Sequence, residues 1–217
     1  MRKIKKFRIP IYTYDILRKA KKRKIDLFAL GLADQESAKE YIASLAAALE
    51  PSTVFDLLAP GEALAGPAGI AQGGSGTLGV VTLGAAFEAK LNAVTDPGLF
   101  RLAETAALVF SETGLKVVSE LIDQEISAEG LTLGDPVRIF SFRPLSDGSG
   151  PEPEAEPDEL PVRPDIGIAA ACLTRLSADK IGVGLNEGAI SPRHTVIFGI
   201  PWLAPKKKKP AAGTASR

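Results

Sequence analysis

The chain has 217 residues, 45% of them hydrophobic, with one cysteine, one histidine, and 26 basic side chains balanced by 26 acidic ones. That is enough apolar material for the core of one domain, and the lone Cys172 excludes an intramolecular disulfide, a cysteine-rich zinc site and a three-cysteine iron–sulfur cradle. No apolar run approaches the ~20 residues of a membrane span, and the basic N-terminus leads into Tyr12, Thr13, Tyr14 and Asp15 where a signal peptide needs an apolar stretch. The expected setting is a reducing cytoplasm, with no membrane partner.

The zero net charge hides an asymmetry. Residues 1–24 hold eleven Lys/Arg against one acid, the tail holds the lysines at 206–209 plus Arg217, and the stretch between carries ten basic and twenty-five acidic residues. Basic clusters can engage nucleic acid or an acidic partner. No aromatic side chains alternate with the tail lysines, however, so a base-stacking platform is lacking and nucleic acid is disfavoured.

The predicted organisation is a basic arm at 1–6, one domain over 7–203, and a basic, disordered tail at 204–217. Residues 7–12 read as a short strand, with Pro10 suited to an edge, and Thr13 as the cap of a helix carrying Ile16, Leu17 and Ala20 on one side. Asp34 is the next N-cap; Ala38, Tyr41, Ile42, Leu45 and Leu49 follow at helical spacing until Pro51, which predicts a helix over 34–50. A strand at 54–58 and a Gly/Ala/Pro-rich loop at 60–76 come next.

Gly74-Ser75-Gly76-Thr77-Leu78-Gly79 matches the dinucleotide fingerprint G-x-G-x-x-G, with Asp96 about twenty residues on. The fingerprint works where a strand enters the glycines and a helix leaves them. Here the order is reversed, since a buried strand at 78–83 follows, and the glycines read as flexible entry into it. No Lys-Ser/Thr pair follows a glycine loop, which excludes a P-loop.

A short helix through Phe87 and Leu91 follows Gly84, and Asp96-Pro97 opens the longest helix, predicted over 97–129. Leu102, Ala106, Val109, Phe110, Val117, Leu121 and Ile122 form its apolar stripe, with Gly114 a weak point of about 1 kcal/mol. Glu104, Glu112, Glu120, Asp123, Glu125 and Glu129 read as its wet face and are assigned no catalysis. A strand at 137–142 precedes an acidic, Pro-rich surface excursion at 145–164. A helix at 168–176 then carries Cys172 inward.

The stretch 179–202 is the most informative. Apolar runs at 181–185 and 195–200 read as two strands, joined by a loop in which Asn186, Glu187, Ser191, Arg193 and His194 cluster between rigid elements, where binding residues are often placed. His194 reads as a satisfied structural residue ahead of a base or ligand.

Taken in order, these pieces resemble the reactivation domain of cobalamin-dependent methionine synthase and its stand-alone relatives, over roughly residues 7–203. The residues that carry the resemblance are Thr82-Leu83-Gly84 after a strand, Lys180-Ile181-Gly182-Val183-Gly184-Leu185, Pro192, Thr195 and Gly199. It implies an α/β domain with a mostly antiparallel sheet and packed helices that binds S-adenosylmethionine and presents it to a corrinoid on a neighbouring module. The oxidised cobalt would be reduced by one electron and trapped by methyl transfer.

The family's ligand signature is an Arg followed by a small residue, Pro, Gly and Tyr. Its nearest equivalent here is Arg143-Pro144-Leu145-Ser146-Asp147-Gly148, with Arg138 as a second Arg and no tyrosine. Arg143 would grip the ligand carboxylate. Backbone near Leu145 and Ser191 would meet the amino and adenine ends, and Glu187 would take a ribose hydroxyl or offset the sulfonium charge. The cleft would be walled by Thr82-Leu83-Gly84. His-on corrinoid binding needs Asp-x-His-x-x-Gly, which the surroundings of His194 do not supply. Cobalamin would therefore come only through a partner, a corrinoid-binding or methyltransferase protein, with a flavodoxin-like electron donor also allowed.

The expected function is thus an accessory protein for reactivating or handling a corrinoid-dependent methyltransferase. A degenerate, non-catalytic scaffold of the same fold and a nucleic-acid binder acting through the basic termini are the alternatives.

Overall fold

Strands β2 (Ser52–Leu58), β3 (Gly76–Thr82) and β8 (Thr195–Leu203) lie side by side and antiparallel at the centre of the molecule. The computed structural model describes residues 1–32, 34–60, 74–142 and 166–203. Successive strand residues point to opposite faces, so Val54, Val80 and Ile197, which share a row in the register, face one side, while Phe55, Val81 and Phe198 face the other. Both faces are covered over most of their length, which is why the middle of these strands is dominated by apolar residues. Helix α4 (Pro97–Ser127) covers the second face through Leu115, Val118 and Ile122. Helix α5 (Ile166–Arg175) covers the first with Ala169, Cys172 and Leu173, helped by Val183 and Ile190.

Outside β8, strands β4 (Thr132–Leu133) and β5 (Val137–Ser141) pair with successive parts of its free edge. A separate helical layer is built by α1 (Thr13–Lys22), α2 (Gln35–Ala46), α3 (Ala85–Asn92) and the first half of α4. Its core holds Ile16, Ile42, Leu45, Phe87, Leu91, Leu102 and Phe110, with Leu83 and Phe142 contributed from the sheet ends. The described residues thus form one α/β domain with a mostly antiparallel sheet and packed helices. No helix among them is long and apolar enough to cross a membrane.

Local signals account for most boundaries. Asp34 accepts from the Ser37 amide at 2.8 Å to cap α2, and Asp96 accepts from Leu99 at 2.8 Å to cap α4, with Pro97 in the first turn. Gly114 is what lets α4 close on the sheet: an added Cβ would meet Ile9 and Val81 at 3.2 and 3.3 Å.

The structure corrects several expectations. Residues 2–5 are not a loose arm but strand β1 (Arg2–Lys5), pairing Arg2 with Phe55 and Lys5 with Ser52. Without it β2 would be an open edge; Lys and Arg on the outermost strand discourage further pairing, and Arg2 is tied to Glu125. Residues 7–12 form no strand. Phe7 donates to the Pro51 carbonyl at 3.1 Å, Ile9 is buried, and Pro10 has no amide to give a ladder. Thr13 is the first residue of α1 and not its cap, since the N-cap is Tyr12. The predicted strand at 181–185 is instead a 3₁₀ turn (Ala178–Ile181) and a tight hairpin, β6 (Gly184–Asn186) with β7 (Ala189–Ser191). Glu187 and Gly188 both have positive φ, 51° and 80°, as a two-residue hairpin turn requires. The excursion at 145–164 and the tail at 204–217 lie outside the described residues.

Gly74 and Ser75 lead into β3, whose first residue is Gly76, rather than standing between a strand and a helix, against the geometry of dinucleotide binding. Gly79 has a packing role: a Cβ there would lie 2.3 Å from the Phe198 ring, its cross-strand partner.

Candidate functional site

Three stretches far apart in sequence meet at one end of the central strands. The first is the Thr82-Leu83-Gly84 turn between β3 and α3. Leu83 donates its amide to the His194 carbonyl at 3.0 Å, and its own carbonyl accepts from Glu50 at 3.0 Å. Gly84 sits at φ 94°, and a Cβ would come within 2.9 Å of the Glu50 carbonyl oxygen, so backbone passes close by. The second stretch is the connector from β7 to β8. The Thr195 hydroxyl donates to the Pro192 carbonyl at 2.6 Å and lies 3.1 Å from the Thr82 hydroxyl, joining the two stretches through side chains as well. The third is the end of β5, where the Phe142 ring meets His194 edge-on with centroids 4.7 Å apart.

Beneath this junction lies a cluster of charges. Glu104, on the second turn of α4, and His194 are both essentially inaccessible, at 1% and 0% exposure. The Arg193 guanidinium spans the Glu104 carboxylate, Nη1 to Oε2 at 3.2 Å and Nη2 to Oε1, in the two-pronged arrangement that makes such pairs strong. His194 Nε2 is 3.2 Å from Glu104 Oε1 and 3.1 Å from Arg193 Nη2. The Arg193 amide donates to both carboxylate oxygens of Glu88, on α3, at 3.2 Å. Phe87 closes the other side of the imidazole, edge-on at 5.4 Å.

The electrostatics follow from this geometry. Burial by itself would raise the Glu104 pKa, but hydrogen bonds from His194 and Arg193, with the guanidinium charge, outweigh it and hold the carboxyl below its ordinary range. Glu104 is therefore an ion inside the core. His194 Nε2 faces a carboxylate and a guanidinium N–H together, whichever ring nitrogen carries the proton, while Nδ1 is buried with no hydrogen-bond partner among the described residues. A buried polar atom without a partner costs about 1–3 kcal/mol, and such costs concentrate at functional sites.

Comparison with known proteins adds no identification. The chain matches no protein-family model and no curated protein sequence.

The residues singled out from sequence fall in different places. Arg143 and Leu145 lie outside the described residues; Phe142, which precedes Arg143 in the chain, is the one that packs on His194. Arg138 stands on β5 with Nη2 3.9 Å from Glu112, a carboxylate that also takes Lys19 Nζ at 2.9 Å. That network belongs to a later part of α4 than Glu104, so Arg138 is not brought to the junction. Glu187 is exposed at the hairpin tip and Ser191 exposed at its base. The three residues of β7, at roughly 3.3 Å each, put Ser191 about 10 Å from the turn that carries Glu187.

Two residues were missed or misread. Glu104 is not on a wet face; its setting was visible in Leu102-Ala103-Glu104-Thr105-Ala106-Ala107-Leu108-Val109-Phe110-Ser111, where it is the only charge and the helix has no polar side to turn outward. Arg193 was noted only as a loop residue, and nothing in the sequence links it to a carboxylate 89 positions earlier. No group of His, Cys, Asp or Glu among the described residues is placed to hold a metal ion. Cys172 is buried, which pushes its thiol pKa up and makes it a packing residue.

Proposed function

We propose that the chain is an accessory protein of a corrinoid-dependent methyltransferase, acting in reductive reactivation or handling of the corrinoid, and that it takes S-adenosylmethionine at the junction just described. The observation that carries this reading is the contact between Thr82-Leu83-Gly84 and Pro192 through Thr195, two of the stretches on which the sequence resemblance rests. They are joined by the Leu83–His194 backbone bond and the Thr82–Thr195 hydroxyl contact. The adjacency supports a shared binding surface, with Ser191 exposed at its rim.

In this reading the corrinoid stays on a partner protein. His194 is the chain's single histidine; it is fully buried and its Nε2 is engaged by Glu104 and Arg193, so it is not offered to cobalt. Bound S-adenosylmethionine would supply the methyl group that traps the reduced cobalt. Arg143 is the residue assigned to its carboxylate. Glu187, in the turn about 10 Å from Ser191 along β7, reaches the ligand only at its far end.

A second reading, a binding or scaffold protein of the same fold without the chemistry, is favoured by one observation. The arginines described on β5 and on the β7–β8 connector, Arg138 and Arg193, are each already matched to a glutamate of α4. Titration calorimetry of the full chain with S-adenosylmethionine separates the two. Micromolar affinity, about −8 kcal/mol, with a loss of about 1.5–3 kcal/mol in Arg143→Ala, supports the first; no heat at millimolar ligand leaves the second.

A further inference from the structure

We infer that Glu104 is a positioning residue. Its buried negative charge docks the β7–β8 connector onto the Thr82-Leu83-Gly84 turn, so that the junction is assembled only while Glu104 is ionised. The inference concerns the regulation of the site proposed above and rests on that reading only for its consequence for ligand binding.

The first ground is energetic. An ion pair inside a protein loses so much hydration that an apolar replacement of equal volume is often as stable or more so. Stability alone therefore does not account for the one carboxylate among the buried described residues, nor for the orphaned Nδ1 of His194 beside it. A cluster that costs free energy in both respects, located where three chain stretches meet, has another task.

The second ground is how the connector is held. Between the end of β7 at Ser191 and the start of β8 at Thr195 there are three residues, Pro192, Arg193 and His194. Arg193 is anchored by carboxylates from two helices, Glu88 at its backbone and Glu104 at its guanidinium. His194 has Glu104 and Arg193 at Nε2, with only aromatic edges from Phe87 on α3 and Phe142 after β5 around the rest of the ring. Glu88, Glu104, Arg193 and His194 thus bring titratable or charged groups from α3, α4 and the connector to one place. Protonating Glu104 removes the charge that matches the guanidinium and one acceptor of the fork. The His194 carbonyl, which receives the Leu83 amide, moves with that connector.

The sign of the effect follows. Glu104 titrates below the ordinary carboxylate range, so the dock is complete at neutral pH and persists through the range in which exposed carboxylates gain protons. It opens only on further acidification.

The test is amide hydrogen exchange of the full chain, corrected for intrinsic rates, from neutral pH to below pH 4. The Leu83 amide is the reporter, and amides in the middle of the β2–β3 ladder are internal controls. The wild type is expected to keep Leu83 protection constant to below the ordinary carboxylate range and then lose it, ahead of the ladder. Glu104→Gln is expected to lower Leu83 protection at neutral pH by about tenfold or more, with a clearly smaller loss in the controls and no acid-dependent step. Arg193→Gln, on a side chain with a solvent-exposed part, is expected to act in the same direction and serves if Glu104→Gln does not fold.

Equal loss at Leu83 and in the ladder would mark Glu104 as an ordinary stabilising residue and overturn the inference, as would wild-type protection in both variants. S-adenosylmethionine affinity measured on the same samples should fall in step with Leu83 protection. If the wild type shows the exchange profile but binds no S-adenosylmethionine, the docking role stands and the proposed ligand falls.

Discussion

Gly79→Ala tests whether the glycine-rich stretch at 74–79 exists for packing. The substitution asks for one extra carbon on a strand whose backbone an alanine can adopt, so no φ penalty arises. The new Cβ would stand 2.3, 2.7 and 2.9 Å from the Cζ, Cε1 and Cε2 atoms of Phe198. Gly79 and Phe198 are direct cross-strand partners, and the tip of the ring occupies the vacant position. Phe198 is fully buried among Val81, Leu115 and Val118, so the ring can yield only by pushing into α4. Overpacking of that kind costs about 1–3 kcal/mol.

A loss of about 2 kcal/mol corresponds to a fall in Tm of roughly 4–8 °C for a chain of this size. Urea unfolding followed by far-UV circular dichroism and by Trp202 fluorescence measures it. Phe198→Leu should make room for the new carbon, so the double variant is expected to lose less than the sum of the single losses by about 1 kcal/mol. Full stability in Gly79→Ala, or strict additivity in the cycle, would refute the packing argument. A dinucleotide site would show the opposite pattern, with stability kept and nucleotide affinity lost.

Two further outcomes follow from the structure. Glu104→Ala is expected to cost about 2–3 kcal/mol at neutral pH, below the 3–5 kcal/mol of a fully buried pair because Arg193 is one-quarter exposed. Because the folded pKa of Glu104 lies below its unfolded value of about 4.3, this contribution is complete above the unfolded value. It is lost as pH falls through the folded one, so wild-type and variant stabilities, compared by denaturant unfolding, should converge in acid. Asp96→Ala removes the acceptor of the Leu99 amide at the start of α4 and is expected to lower stability by about 1 kcal/mol, whereas Asp96→Asn should restore most of it in the same assay.

The elements legible in the sequence were those with a local cause. Asp34 and Asp96 announce their helices because a cap bonds an amide three residues away, and the runs at 54–58, 78–83 and 195–200 announce strands because a sheet covered on both faces favours short, mostly apolar runs over strict alternation. Positive φ at Glu187 and Gly188 was latent in Asn186-Glu187-Gly188, yet the hairpin was read as one longer strand and a loop because Ile181, Val183 and Leu185 alternate as strand residues do.

What the sequence could not show is decided by contacts over long separations. Arg2–Lys5 carries mostly charged side chains and becomes a strand only because β2 has a free edge to pair. Arg193 looks like a surface residue within its own segment, and it meets Glu104 as an ion pair only when α4 crosses beneath the β7–β8 connector. The β3–β8 pairing, in which Thr82 and Thr195 are partners, puts their hydroxyls 3.1 Å apart across 113 positions. Hydrophobic periodicity reports which face of an element is buried; which charge waits on the other side of that face is fixed by the tertiary packing alone.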